Sequence, residues 1–246
     1  MKKRLWKGHF TEHGVPSWPC PRCNGTLKTK KDSVQQASST YAKYVEDQFE
    51  IPERFVMFMQ CTSPACGEIV AVMGDVATIP EQDADDHSEL VEYFAPSFMD
   101  PPPPIIAMPK RVPEPVIQEI KLAFQLYWVD YRVCAARLRT SLERLMDHFG
   151  VAKTRIQKDS PNKSGRRRPV DLAARIDKLP KKIGSQDFSK ILHALRVIGN
   201  LGTHGSKVTQ AAMLDSFQLY EMALEKLFED KNETVEAIIK RLKVHK

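Results

Sequence analysis

Apolar positions along this chain change their spacing part-way through. In the first hundred residues they come in short runs: Phe55-Val56-Met57-Phe58-Met59-Gln60, then Ile69-Val70-Ala71-Val72-Met73. Runs of this length, rich in residues that suit a pleated surface, predict strands. Beyond residue 115 the spacing becomes three, four or seven. Ile117, Ile120, Phe124, Tyr127, Tyr131, Leu138, Leu142, Leu145 and Phe149 keep to one stripe, and no Pro or Gly interrupts Val116 to Phe149. That pattern predicts one long amphipathic helix stopped by Gly150. A second helix is expected from Val170 to Leu179, with Pro169 in its first turn. A third runs from about Phe188 through Leu192 and Leu195, a fourth from Val208 to Phe228, and a last amphipathic piece uses Val235, Ile238, Ile239 and Leu242. The expected fold class is α+β: a small β-rich N-terminal module followed by an all-α antiparallel bundle.

Between the two regimes the chain turns acidic and then proline-rich. Residues 81–100 hold seven Asp and Glu and no Lys or Arg, and Pro101-Pro102-Pro103-Pro104 follows, with further prolines at 109, 113 and 115. Such a stretch is extended and stiff and is expected to act as a spacer. It divides the chain into residues 1–100, a linker over 101–115, and residues 116–246. Ser33 to Thr40, polar and low in hydrophobics, reads as a loop.

Charge sharpens this division. Residues 1–110 carry 11 Lys and Arg against 15 Asp and Glu, whereas residues 111–246 carry 26 against 16. The basic half points to an anionic partner, although solvated basic helix faces are common. No apolar run approaches the roughly 18 residues of a membrane span. The basic start Met1-Lys2-Lys3-Arg4 is not followed by the apolar stretch of a signal peptide. A cytoplasmic location with reduced thiols and no membrane partner is the expectation.

Four of the five cysteines form two pairs. Cys20-Pro21-Arg22-Cys23-Asn24-Gly25 and Cys61-Thr62-Ser63-Pro64-Ala65-Cys66-Gly67 both end in glycine, and 37 residues separate them. Two thiolate pairs on turns suit tetrahedral zinc, and with strands beside the second pair they make the module zinc-ribbon-like. Four sulfurs fill the coordination sphere, so the zinc is expected to be structural. His9 and His13 are spare candidates that two complete pairs do not need. Cys134 falls near the helical stripe and reads as a small core residue.

The densest polar cluster in the helical half is Leu195-Arg196-Val197-Ile198-Gly199-Asn200-Leu201-Gly202-Thr203-His204-Gly205. An arginine offers a fork for phosphate oxygens, and a histidine exchanges protons near neutral pH. The alternative is a helix C-cap, with Gly199 or Gly202 left-handed and Asn200 and His204 bonding loop carbonyls. Upstream, residues 151–168 hold seven basic side chains and one acid, among them Lys163, Arg166, Arg167 and Arg168. This is expected to be a basic loop that is either merely solvated or attracts phosphate. Trp128 and Tyr131 can be read as a stacking platform for bases or, more simply, as core. No internal repeat, phosphate-binding glycine loop or nucleophile elbow is present.

Three blocks occur in order: Ala135-Ala136-Arg137-Leu138-Arg139-Thr140-Ser141-Leu142-Glu143, then Leu172-Ala173-Ala174-Arg175-Ile176-Asp177-Lys178-Leu179, then Arg196 to Gly205. Over roughly residues 113–228 this order resembles the bacterial family known as domain of unknown function 4145, often regarded as HEPN-like. Members often carry a cysteine-paired zinc segment ahead of the helices. The resemblance implies a helical bundle that forms homodimers. It also implies metal-independent cleavage of RNA in toxin–antitoxin or anti-phage defence systems, with an antitoxin or other protein as partner. On that basis Arg196 and His204 would be catalytic, with Asn200 assisting; seven residues stand between the first two, a longer spacing than the usual active motif. The alternative is a non-catalytic zinc-plus-helix module for protein or nucleic-acid binding and dimerisation.

Overall fold

A computed structural model describes residues 1–40, 52–82, 88–157, 166–179, 186–203 and 207–228. His204, Lys163 and the last amphipathic piece fall outside the described residues. The N-terminal half is a five-stranded antiparallel sheet made of β1 (Leu27–Thr29), β2 (Gln35–Ser38), β3 (Glu53–Cys61), β4 (Ile69–Gln82) and β5 (Ser88–Asp100). The strand order is β1-β3-β4-β5, and β2 lies along the same edge of β3 as β1. The two apolar runs are indeed strands, and β3 alternates strictly. Phe55, Met57, Met59 and Cys61 are buried, whereas Val56 and Phe58 face outward.

The sheet is larger than a zinc ribbon. The cysteine pairs lie at the end where β1, β3 and β4 meet, and two further stretches joined the sheet against expectation. Ser33 to Thr40, read as a loop, supplies β2, whose four residues are all exposed. The acidic stretch after residue 80 forms the far part of the β4–β5 hairpin, paired from Ala71↔Asp100 to Gln82↔Ser88. Its polar residues tolerate this because the outer part of the hairpin is solvated on both faces.

The prolines do not make a free-standing spacer. Pro103, Ile105, Ile106, Pro109 and Val112 are buried, and the Ala107 amide donates to Oε1 of Glu221 at 2.9 Å. Trp6 meets the rings of Tyr127 and Trp128, while Trp18 meets Trp128. The Tyr127 hydroxyl donates to the Trp6 carbonyl at 2.6 Å. One apolar core therefore runs from the sheet into the helices. Tyr127, Trp128 and Tyr131 belong to this seam, which settles their reading as packing.

The helical region comprises α1 (Glu114–Leu126), α2 (Tyr131–His148), α3 (Leu172–Asp177), α4 (Gln186–Thr203) and α5 (Gln210–Phe228). The predicted single helix over 116–149 is two. Asp130 ends the continuity by acting as an N-cap, its carboxylate accepting from the amides of Arg132 and Val133. With Tyr127 to Asp130 as the turn, α1 and α2 fold back on each other, and α2 also packs against α4. Cys134 is buried at this joint, donating to the Ala123 carbonyl at 3.1 Å, as a core residue would.

Candidate metal centre and arginine face

Two turns bring four sulfurs together at the end of the sheet. In the first, Asn24 takes a left-handed conformation (φ 60°) and Gly25 follows, so that the Cys20 amide reaches the Gly25 carbonyl at 2.6 Å. The Gly25 amide in turn donates to Sγ of Cys23 at 3.4 Å. A Cβ on Gly25 would stand 3.2 Å from Sγ of Cys23 and 3.4 Å from Sγ of Cys61, within the space of the thiol cluster. The second turn leaves β3 at Cys61 and closes on Gly67 at φ 61°.

The four Sγ atoms of Cys20, Cys23, Cys61 and Cys66 all lie within 4.8 Å of one another. Cys20 to Cys66 measures 3.7 Å and Cys23 to Cys61 measures 3.5 Å. A tetrahedron with metal–sulfur bonds of about 2.3 Å requires sulfurs about 3.8 Å apart, so this spacing can hold one metal ion. A backbone hydrogen bond from Ser63 pulls the Cys61 thiol down, but burial and the neighbouring sulfurs push it up to about 12. A cation among the sulfurs would reverse that crowding. Neither His9 nor His13 joins the cluster; both are exposed.

The second feature is the crossing of α2 and α4. The chain does not break at Gly199 or Gly202: α4 runs unbroken to Thr203, and Gly199 is not left-handed. The C-cap reading of these glycines is therefore set aside. Gly199 has a packing role. A Cβ there would lie 2.5 Å from Cβ of Arg139 and 3.2 Å from the Ala135 carbonyl oxygen, so only glycine lets the two helices approach this closely.

Because the helix continues, Arg196 and Asn200 stand four residues apart on one face, separated by about 6 Å along the axis. Nη1 of Arg139 donates to Oδ1 of Asn200 at 2.6 Å, and Nη2 of Arg139 lies 3.5 Å from Glu143. The Nε atoms of Arg139 and Arg196 are buried with no partner among the described residues. Sequence reasoning overlooked Arg139 as a site residue. The available signal was the pairing of small residues, Ala135 on one helix and Gly199 on the other, which brings the side chain beside Ala135 to the motif.

A cavity of about 270 Å³ adjoins this crossing, lined by Arg139, Arg144, Lys153 and Arg175 as well as Glu143 and Asp147. Asp147 ties it together, accepting from Arg175 at 2.6 Å and from Lys153 at 2.9 Å. Burial pushes the Asp147 carboxyl up, yet those two cations outweigh it and hold the group below the usual carboxylate range.

The basic segment is not a simple loop. Thr154–Gln157 (β6) pairs antiparallel with Arg166–Pro169 (β7), with Arg155 opposite Arg168 and Ile156 opposite Arg167. Pro169 thus ends a strand instead of opening a helix, and Asp171 caps α3 by accepting from the Ala174 amide at 2.8 Å. Arg155, Arg167 and Arg168 are exposed.

Comparison with known families gives two matches. The family described as a domain of unknown function, DUF4145, matches residues 121–243, and a second domain of unknown function, DUF8608, matches residues 8–101. No curated protein and no solved structure matches the chain. No helix among the described residues is long and apolar enough to cross a membrane.

Proposed function

The chain belongs to the DUF4145 family, and on that premise we propose that its helical region is an HEPN-like domain that binds and cleaves RNA. The sheet in front of it is stapled by a structural zinc ion. The observation that carries the reading is the face of α4, where Arg196 and Asn200 stand one turn apart beside Arg139 of α2, with the Nε atoms of both arginines buried and unpartnered among the described residues. Cationic forks and an amide gathered at one crossing suit a phosphodiester.

In this reading Arg196 stabilises the charge that builds on the phosphate, and Asn200 orients the substrate. His204 takes the proton from a ribose 2′-hydroxyl as its oxygen attacks phosphorus, or gives one to the departing 5′-oxygen. A homodimer supplies one histidine as base and its symmetry mate as acid. Zinc is the ion of choice for four soft thiolates, and Cys20, Cys23, Cys61 and Cys66 leave it no open position for water. The chemistry therefore falls to the side chains of the helical region. Arg167 and Arg168 on the exposed hairpin, with Arg166 and Lys163 beside them in sequence, draw the RNA in. Reduced thiols suit the cytoplasm, and a ribonuclease of this type suits a toxin or anti-phage system with a protein antitoxin.

The second reading, a non-catalytic module for binding and dimerisation, is favoured by one observation. Arg139 already occupies Oδ1 of Asn200, which gives that residue a role in fixing the helix crossing. An RNA-cleavage assay separates the two. In the catalytic reading, Arg196→Ala and His204→Ala each lower cleavage by about 10²–10⁴ with the melting temperature nearly unchanged. Cleavage undiminished in His204→Ala removes the catalytic reading and leaves the binding module.

A further inference from the structure

A groove of about 620 Å³ lies between the metal-binding turn and α1. Pro21, Arg22 and Asn24 line it from the turn, and Ile117 and Lys121 line it from the helix. Met108 and the prolines at 101, 102 and 104 complete it from the stretch that joins the two. The groove thus sits where the two family matches meet, and the residues between those matches supply much of its surface. Its walls are held in place from behind, because Ile106 and Phe124 reach into it from the buried core.

The character of this surface is specific. Its lining is largely aliphatic and proline-rich, its polar residues Arg22, Asn24 and Lys121 are exposed, and no acidic side chain among the described residues lines it. Arg22 and Lys121 are both exposed, and neither has an ion-pair partner among the described residues. An apolar centre with a charged rim is the anatomy of a protein interface. Small-molecule pockets differ, carrying placed polar groups inside to fix orientation. The prolines lack amide hydrogens, so the edge cannot take up an added strand and recognition rests on side chains. Single-stranded nucleic acid fits poorly, since the lining's one aromatic ring, Phe124, is only 2% exposed and offers no face for stacking.

We infer that this groove docks an acidic peptide segment of a partner protein. A bulky apolar side chain of that segment seats among Met108, Ile117 and Pro102, and its carboxylates meet Arg22 and Lys121. The site is independent of the proposed RNA chemistry on α4. Because Cys20 and Cys23 frame one side of the groove, its shape also depends on the fold of the metal-binding turn.

The test uses the full chain and fluorescein-labelled synthetic peptides with a single leucine, phenylalanine or tryptophan set among aspartates and glutamates. Fluorescence anisotropy is expected to show saturable binding in the micromolar range. Lys121→Glu and Arg22→Glu should each weaken it at least about tenfold, since a like charge now faces the peptide. Replacing the anchor by serine, or the acids by lysines, should abolish it. Lys121 lies on an exposed helix face, so its variant reads out even if Arg22→Glu disturbs the turn; metal content and melting temperature check both. Absence of saturable binding, or binding in both charge variants undiminished from the wild type, overturns the inference. So does displacement of the peptide by an oligouridylate that itself loses affinity in the same variants, which would assign the groove to nucleic acid.

Discussion

Arg139 and Asn200 are joined across the α2–α4 crossing by a 2.6 Å hydrogen bond, and the residue before Asn200 is the glycine that permits the approach. The bond and the glycine depend on each other. A side chain at 199 would clash with Cβ of Arg139, so the crossing would have to shift where the guanidinium meets the amide.

Gly199→Ala is therefore expected to destabilise the protein. Within an ordinary helix this change gains about 1 kcal/mol from propensity. Here the new methyl meets Cβ of Arg139, which cannot swing away as the tip of a side chain could, and overpacking of this kind costs about 1–3 kcal/mol. The melting temperature should fall. A rise would mean that the helices cross with more room than the 2.5 Å contact implies.

Asp147 should govern the acid limit of the helical region. Its carboxyl lies below the usual range in the folded state, so its contribution is fully present above the unfolded value of about 3.9 and is lost as pH falls through the folded value. Asp147→Asn should flatten the acid limb of the stability profile. At neutral pH it should cost about 3 kcal/mol, because the Arg175 side chain, only 6% exposed, is left without its counter-charge. Chemical denaturation at pH 3 to 7 for both proteins measures this. Parallel profiles would show that other carboxylates carry the acid sensitivity.

The four-cysteine cluster, as a candidate zinc site, predicts stoichiometry and asymmetry. Protein purified without chelator should contain one zinc per chain by elemental analysis, and Cys23→Ser should lose it. Loss should loosen the sheet around Cys20 and Cys61 before the helices, since the sulfurs tie only the end of β1, β3 and β4. Hydrogen exchange on chelated protein should show that order. Well under one zinc in the wild type would remove the assignment.

The β6–β7 hairpin predicts a salt signature. Arg155 and Arg168 stand directly opposite each other, an arrangement that repels in isolation and that a polyanion relieves. Arg167→Gln and Arg168→Gln should weaken RNA binding evenly across sequences. Each should reduce the slope of log affinity against log salt by about 1 if its arginine meets a phosphate. The melting temperature should stay level, because both side chains are solvated. An affinity indifferent to salt and to both changes would leave the hairpin without this role.

The sequence by itself determined what local spacing controls. The short apolar run from Phe55 to Gln60 predicted a strand, the 3–4 stripe from Ile117 to Phe149 predicted helix, and two glycine-ended cysteine pairs predicted a four-sulfur centre. Each of these signals lies within a few residues and is enforced by backbone geometry and ligand chemistry. What the sequence could not decide was how separate elements meet. Asp130 looked like one polar position in a long stripe, and only its carboxylate over the next helix's amides shows it to be a cap. The acidic stretch and the basic segment carried no apolar alternation, so their pairing into hairpins rested on partners distant in the chain. The prolines read as a spacer because one of the bonds that holds this stretch down, from the Ala107 amide to Glu221, reaches more than a hundred residues along the chain. Gly199 read as a helix breaker for the same reason. Its missing side chain matters only because Arg139, sixty residues earlier, occupies the space that side chain would need.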